Sequence, residues 1–202
     1  MSPVADFGEK LNFSSSQFTK LNSKGEKIHF RVLGKPTYEG KHFIPQGEGE
    51  KKEVIACPRI NEGGECETCK LFFAAHRSAK KEGLDKDETR KLTDPYSPAA
   101  IFYYPVLNRG TGKFEIFQTT QGVRNNIESK IELGLKVFER DLIILRTEKP
   151  GSYYQLSVVD SADAKPFTKE EKEEVKKGKE ADLSDYIDGQ QEDTPEDIDV
   201  EL

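Results

Sequence analysis

Three cysteines, Cys57, Cys66 and Cys69, stand inside thirteen residues, and the chain has no others. Cys66-Glu67-Thr68-Cys69 is a C-x-x-C knuckle, and eight residues separate it from Cys57. His42 and His76 flank the stretch, with fourteen residues between His42 and Cys57. Two thiolates on a tight knuckle, a third from a nearby strand or loop and one imidazole make a soft donor set for a closed tetrahedral zinc site. Asn61, Gly63 and Gly64 let the chain turn between ligands. A lone C-x-x-C would also suit a redox pair. A third cysteine this close favours one structural zinc, and the odd count in a chain expected to be cytosolic argues against a disulfide framework.

The fourth ligand is left open by the cysteines, and helix geometry helps to choose it. LFFAAHRSAKKEG after Cys69 reads as a helix. His76 lies seven residues beyond Cys69, and seven helical residues rise about 10 Å. Ligand atoms lie only about 2.0–2.3 Å from the ion. His42, in an aromatic, strand-like stretch with Tyr38 and Phe43, can return to the knuckle through a hairpin and is the expected ligand; His29 is a more remote alternative. The expected set is His42, Cys57, Cys66 and Cys69.

Charge divides the chain. Its net charge is −6, but the ten acids from Glu180 to Leu202 stand without a single Lys or Arg. Without them 31 basic residues face 27 acidic ones (37 less 10), so the body is about +4. The tail reads as a disordered acidic segment, with Asp193, Glu196, Asp197, Asp199 and Glu201 as its partner-binding residues. The sequence shows no signal peptide or transmembrane run, so a soluble, cytoplasmic protein without membrane partners is expected.

The chain predicts four parts. Residues 1–24, Ser-rich with isolated Phe7, Phe13 and Phe18, form a mobile or loosely docked arm. Residues 25–162 form the core, with the zinc insertion at about 42–92. Residues 163–179 form a charged, solvent-exposed helix or connector, with Thr168 and Glu171 as a capping box. Residues 180–202 are the tail. Within the core, Lys27 to Pro36 alternates as a half-buried strand, followed by strands at 37–44, 53–56, 100–107, 113–119, 141–147 and 153–159. Val123, Ile127 and Ile131 recur every four residues as the buried stripe of a helix that Gly134 ends. The class is mainly β with helical insertions, and short strands around a late helix suit a small barrel.

The order His, Cys, Cys-x-x-Cys, then AAIFYYPVLNRGTGKFEIFQ, a helix, a strand pair and an acidic tail resembles the zinc-containing single-stranded DNA-binding proteins of tailed phages, the T-even helix-destabilising type. It covers roughly residues 25–160 and the tail. The resemblance implies an OB-fold barrel with a zinc subdomain beside a DNA cleft, and a histidine preceding the cysteines by a similar interval, a second reason for His42. It implies a protein that coats and protects single-stranded DNA in replication, recombination and repair, in the host cytoplasm if phage-encoded. The tail would then recruit replication or recombination proteins. The chain has no Trp, which such clefts usually include.

A sequence-tolerant binder needs cations that track phosphate and flat rings that stack bases. The strands offer Tyr38, Tyr96, Tyr103, Tyr104, Phe114 and Phe117 for stacking, of which about half must be core because strand faces alternate, and Tyr103 and Tyr104 cannot both face the cleft. Expected cations are Arg31, Lys35, Lys41, Arg109, Lys113 and Arg146. An enzyme is not expected. The deaminase order H-x-E followed by P-C-x-x-C is absent, since His42 is followed by Phe43 and Ile44, and four protein ligands leave no position for water. The alternative is a zinc-ribbon adaptor that binds protein or RNA.

Overall fold

Strand β5, Pro98–Asn108, is apolar on consecutive positions, and Ile101 to Leu107 are all buried. Side chains alternate between the two faces of a strand, so such a run demands a cover on each face. The computed structural model of the chain, which describes residues 18–19, 21, 23–47, 52–147, 153–160 and 164–183, supplies both covers. It is a mixed α/β structure around an open eight-stranded mixed sheet.

One edge of β5 pairs along its length with β6, Lys113–Thr120. The other edge is divided. β2, Lys27–Val32, takes its end, with Val32 opposite Val106, and β3, Thr37–Pro45, takes its beginning, with Thr37 opposite Tyr103. Four residues, Leu33–Pro36, thus span the gap that Tyr104 and Pro105 fill on β5. Pro105 has no N–H to give, and its carbonyl accepts from Leu33 N at 2.9 Å, so the missing donor falls at the break in the ladder. Beyond the break β2 pairs with β7, Asp141–Arg146, and β7 with β8, Tyr154–Val158. β3 instead pairs with β4, Lys52–Ala56. The expected barrel is therefore seen as an open sheet that branches at β5, with edges at β1, β4 and β8 among the described residues.

On the first face, Phe102, Tyr104 and Val106 pack with Phe30, Phe117, Leu142 and Ile144, roofed by Val123 and Ile127 of a helix, Gln121–Glu132, and by Val137. This helix lacks the third member of its expected stripe: Ile131 is 40% exposed, because the chain leaves the sheet there. Gly134, at φ 77°, ends it as expected.

On the second face, Ile101, Tyr103, Phe114 and Ile116 pack with Leu183 and Ala181. The cover is residues 164–183, including a helix at Lys169–Glu180. The expected capping box is present, with Thr168 and Glu171 exchanging bonds. The expected solvent-exposed connector is not, since Glu171 and Gly178 are buried against the sheet. Gly178 explains how: a Cβ there would lie 2.4 Å from Leu33 Cδ1 and 2.7 Å from Phe114 Cδ2. Likewise, the end of the expected arm is part of the fold. Phe18–Thr19, β1, pairs in parallel with β6, and Leu21 is buried. The expected disordered tail at 180–202 begins as part of this cover, with Ala181 and Leu183 packed on the sheet; residues 1–17 and 184–202 lie outside the described residues.

A charged cluster ties the second face together. The buried Asp141 carboxylate accepts from Arg31 Nε at 2.7 Å and Arg109 Nε at 3.1 Å, with His29 Nε2 at 3.6 Å. Arg109 also pairs with Glu171 at 2.7 Å. Removing one partner of a buried pair leaves the others uncompensated. Asp141→Ala should lower unfolding free energy by about 3–5 kcal/mol in urea titrations, whereas a change within about 0.5 kcal/mol would mark the cluster as effectively solvated.

Candidate metal centre

The cysteine stretch folds as a single-turn helix against β3 followed by a sixteen-residue helix. Cys57 precedes α1, Pro58–Asn61, and Cys66 precedes α2, Glu67–Glu82. Each cysteine is the N-cap of its helix, and neither side chain caps through a hydrogen bond, which leaves the sulfurs for another use. Cys69 follows in the first turn of α2. Pro58 suits the first turn of α1, where its missing N–H costs nothing.

A clamp sets α1 on the sheet. Gly40 N donates to Asn61 Oδ1 at 2.5 Å, Asn61 Nδ2 returns a bond to Gly40 O, and Cys57 N donates to the same carbonyl at 2.7 Å. A Cβ at position 40 would come within 2.3 Å of Ile60 Cβ, so only glycine lets α1 approach. Two residues on, His42 points to the same face of β3. Its Nδ1 donates to Tyr96 O at 3.0 Å, which turns Nε2 toward the sulfurs. Tyr96 lies in the 3-10 turn Asp94–Tyr96 that follows a third helix, Lys86–Thr93. That helix starts at Asp85 with a capping box.

His42, Cys57, Cys66 and Cys69 thereby converge, all four buried, with one ligand atom from each lying within 4.8 Å of the others. His42 Nε2 stands 3.3 Å from Cys66 Sγ and 3.6 Å from Cys69 Sγ, and the sulfurs of Cys57 and Cys69 are 3.5 Å apart. In a tetrahedron with metal–sulfur bonds of ~2.3 Å, sulfurs sit about 3.8 Å apart. The cluster can hold one metal ion, and three thiolates with one imidazole suit zinc.

The electrostatics of the cluster ask for a cation. Burial pushes the Cys69 thiol up to about 12, and the neighbouring Cys57 and Cys66 add to the rise. Burial also acts against ionising Cys66, but the backbone N–H groups of Cys69 and Thr68 and the adjacent thiols outweigh it and bring Cys66 below its ordinary value. Three thiolates this close cannot coexist without a positive charge among them, and a divalent ion supplies it. Burial lowers His42, against the carbonyls of Tyr96 and Ser97, which favours the neutral form that ligates.

The other histidines lie apart from this cluster. His76 is exposed on α2 with its ring 4.7 Å from that of Phe72. His29 belongs to the Asp141 cluster.

The residues expected to meet nucleic acid divide sharply. Tyr103, Tyr104 and Phe117 are each 2% exposed, so they are core and offer no ring face to a base. The strand alternates, as expected, but both of its faces are covered. Tyr103 donates to Glu39 Oε2 at 3.3 Å, and Phe117 packs 5.2 Å from Phe30. Arg31 and Arg109 are engaged by Asp141 and Glu171 rather than presented to solvent. Lys41 pairs with Glu39 at 2.9 Å, and Arg146 Nη1 donates to Leu21 O at 2.9 Å. Tyr96 is half-buried beside the metal centre, while Lys35 and Lys113 are exposed. Tyr38 is 52% exposed, with its ring 5.9 Å from that of Phe102. Sequence reasoning missed Arg124, whose guanidinium lies 5.1 Å from the centroid of Phe102. Its signal would have been its position one residue after Val123 at the start of a helix facing an aromatic strand. Asp193, Glu196, Asp197, Asp199 and Glu201 lie outside the described residues.

Among the described residues no helix is long and apolar enough to cross a membrane. Comparison with family models, with curated proteins and with solved structures gave no match.

Elemental analysis of purified protein should give one zinc per chain. His42→Ala should lose most of it and His76→Ala should retain it; the reverse ranking would refute the assignment. Gly40→Ala, which touches no ligand atom, should also weaken retention by displacing α1. Because the ligating thiols must be deprotonated, retention should fall as pH falls.

Proposed function

We propose that this chain is a sequence-tolerant single-stranded DNA-binding protein that coats and protects DNA strands in replication, recombination and repair, and that its zinc is structural. The observation that carries this reading is the exposed ring of Tyr38. Tyr38 stands on β3 directly opposite Phe102, and Arg124 lies over the Phe102 ring. The aromatic face of Tyr38, open to solvent, is a surface on which any base can stack, beside an Arg124 that is itself paired with Glu128. Lys35, three residues before Tyr38, is an exposed cation for the backbone of the same strand. The sheet is read as a partly open barrel of the OB type, with β2 and β3 as one interrupted strand.

A fully ligated Cys3His ion has no open position for water or substrate, so the metal's role is to hold the lobe of α1 to α3 against β3, and no catalytic activity is proposed. The acidic tail is given two roles. Tethered to a body of about +4, it competes with DNA at low salt, and when displaced it recruits replication or recombination proteins through Asp193, Glu196, Asp197, Asp199 and Glu201. A cytoplasmic setting follows from the same reading.

One observation favours the adaptor alternative, in which the zinc lobe docks on protein or RNA. Leu71 is 52% exposed and Phe73 37%, both on α2. Fluorescent oligo-dT separates the two. The DNA reading expects tight, salt-sensitive binding that duplex DNA competes for poorly, and Tyr38→Ala should cost about 1–3 kcal/mol, a stacking contribution. Failure of oligo-dT to bind, with tight capture of one protein or one RNA, would replace this reading with the adaptor.

A further inference from the structure

The segment at residues 164–183 meets the sheet in an unusual way. Phe167 lies under two guanidiniums, with Arg31 Cζ and Arg109 Cζ each 5.0 Å from its ring centroid. Glu171 places a carboxylate oxygen 2.7 Å from Arg109 Nη1. The Lys165 carbonyl accepts from Arg109 Nη2 at 2.7 Å, and Glu174 accepts from the backbone N–H of Phe114 at 3.0 Å. The segment thus presents a flat ring to stack and several oxygens to accept, and the sheet presents two arginine planes and a backbone donor.

The charge count has the same sense. Arg31 and Arg109 share the single buried carboxylate of Asp141, which leaves one positive charge on the face. Glu171 neutralises it. The helix Lys169–Glu180 turns Glu171 and Glu174 toward the sheet, while Lys172, Lys176 and Lys177 are exposed. A guanidinium plane stacks on a nucleobase as it does on phenylalanine, and it holds a phosphate as it holds a carboxylate.

We propose that the surface formed by Arg31, Arg109 and Phe114 N on the second face of the sheet is a contact site for a stacked base and its phosphate, occupied in this structure by Phe167 and Glu171, so that residues 164–183 and single-stranded DNA exclude one another there. The inference rests on the reading of the chain as a DNA-binding protein and extends its contact surface to a face that the Tyr38 platform does not use. Exposed Lys113, adjacent to Phe114 on the same hairpin, continues the surface.

Gly178 gives a test that leaves the arginines untouched. A larger side chain cannot fit against Leu33 and Phe114, so Gly178→Leu in the full chain lifts the helix at its far end. Hydrogen exchange in residues 164–183 should rise while zinc content stays at the wild-type value. Oligo-dT affinity at low salt should tighten at least about fivefold, the lower bound of typical coupling between competing states. The slope of log affinity against log salt should steepen by about 0.7 for each phosphate newly held on a single strand. That steepening should vanish when Arg31→Gln and Arg109→Gln are added to Gly178→Leu. If wild type and Gly178→Leu bind with the same affinity and slope, the strap does not cover a DNA site and the inference fails while the DNA-binding reading stands. If neither binds oligo-dT, that reading fails, and the inference with it. Should Gly178→Leu lose its zinc and fold, Phe167→Ala with Glu171→Gln loosens the segment from its other end, and the same affinity and slope criteria decide.

Discussion

Everything in this structure depends on burying both faces of β5. Its seven consecutive buried residues, Ile101–Leu107, oblige the chain to find two separate apolar covers. The first face takes the helix that begins at Gln121; the second takes the segment ending at Leu183. The same strand carries the metal lobe, because β3 lies along its first half and delivers Gly40 and His42 to the loops that hold the cysteines. Pro105 marks the break at which β5 passes from β3 to β2, whose other edge pairs with β7. The metal centre, both covers and the branch in the sheet are four consequences of one strand.

The metal centre is closed by geometry rather than by propensity. Helices α1 and α2 begin with cysteines that make no capping hydrogen bond, and at the start of α2 the backbone N–H groups of Thr68 and Cys69 favour the thiolate of Cys66. The imidazole is turned by a carbonyl 54 residues away in sequence. A lobe assembled this way buries few apolar side chains, and among the described residues only Ile60 packs on the three cysteines. It needs a cross-link in place of a core.

Much of this was legible in the residues. Period-two alternation located β2, and the C-x-x-C spacing with a third cysteine located the ligands. The rise of a helix disfavoured His76. The misses have physical causes. IFYYPV reads as a strand with one face available to a ligand, but a continuous apolar run signals a strand covered on both faces, and the buried Tyr103, Tyr104 and Phe117 offer no ring to a base. Arg31 and Arg109 read as free cations because the carboxylate that binds them is 110 and 32 residues away, and no local pattern reveals a pairing at that separation. The helix at 169–180 reads as a solvated connector because eleven of its twelve residues are Lys, Glu or Gly, and it meets the sheet through Glu171, Glu174 and Gly178, residue types that ordinarily mark a solvated face.

The division of β5 between two partners also sets an order of assembly during synthesis. Every metal ligand lies between residues 42 and 69, and the carbonyl that turns the imidazole follows at Tyr96. The sheet, by contrast, needs β2 to meet residues 106–108 and then 141–145, and β1 to wait for residues 116–117. Such distant pairings are slow because their loops must close before any contact rewards them. A nascent chain can therefore bring these four side chains together before β5 to β8 have emerged. The lobe then presents β3 as a ready edge on which β5 pairs as it emerges, and an ion held there would template folding before it braced the fold.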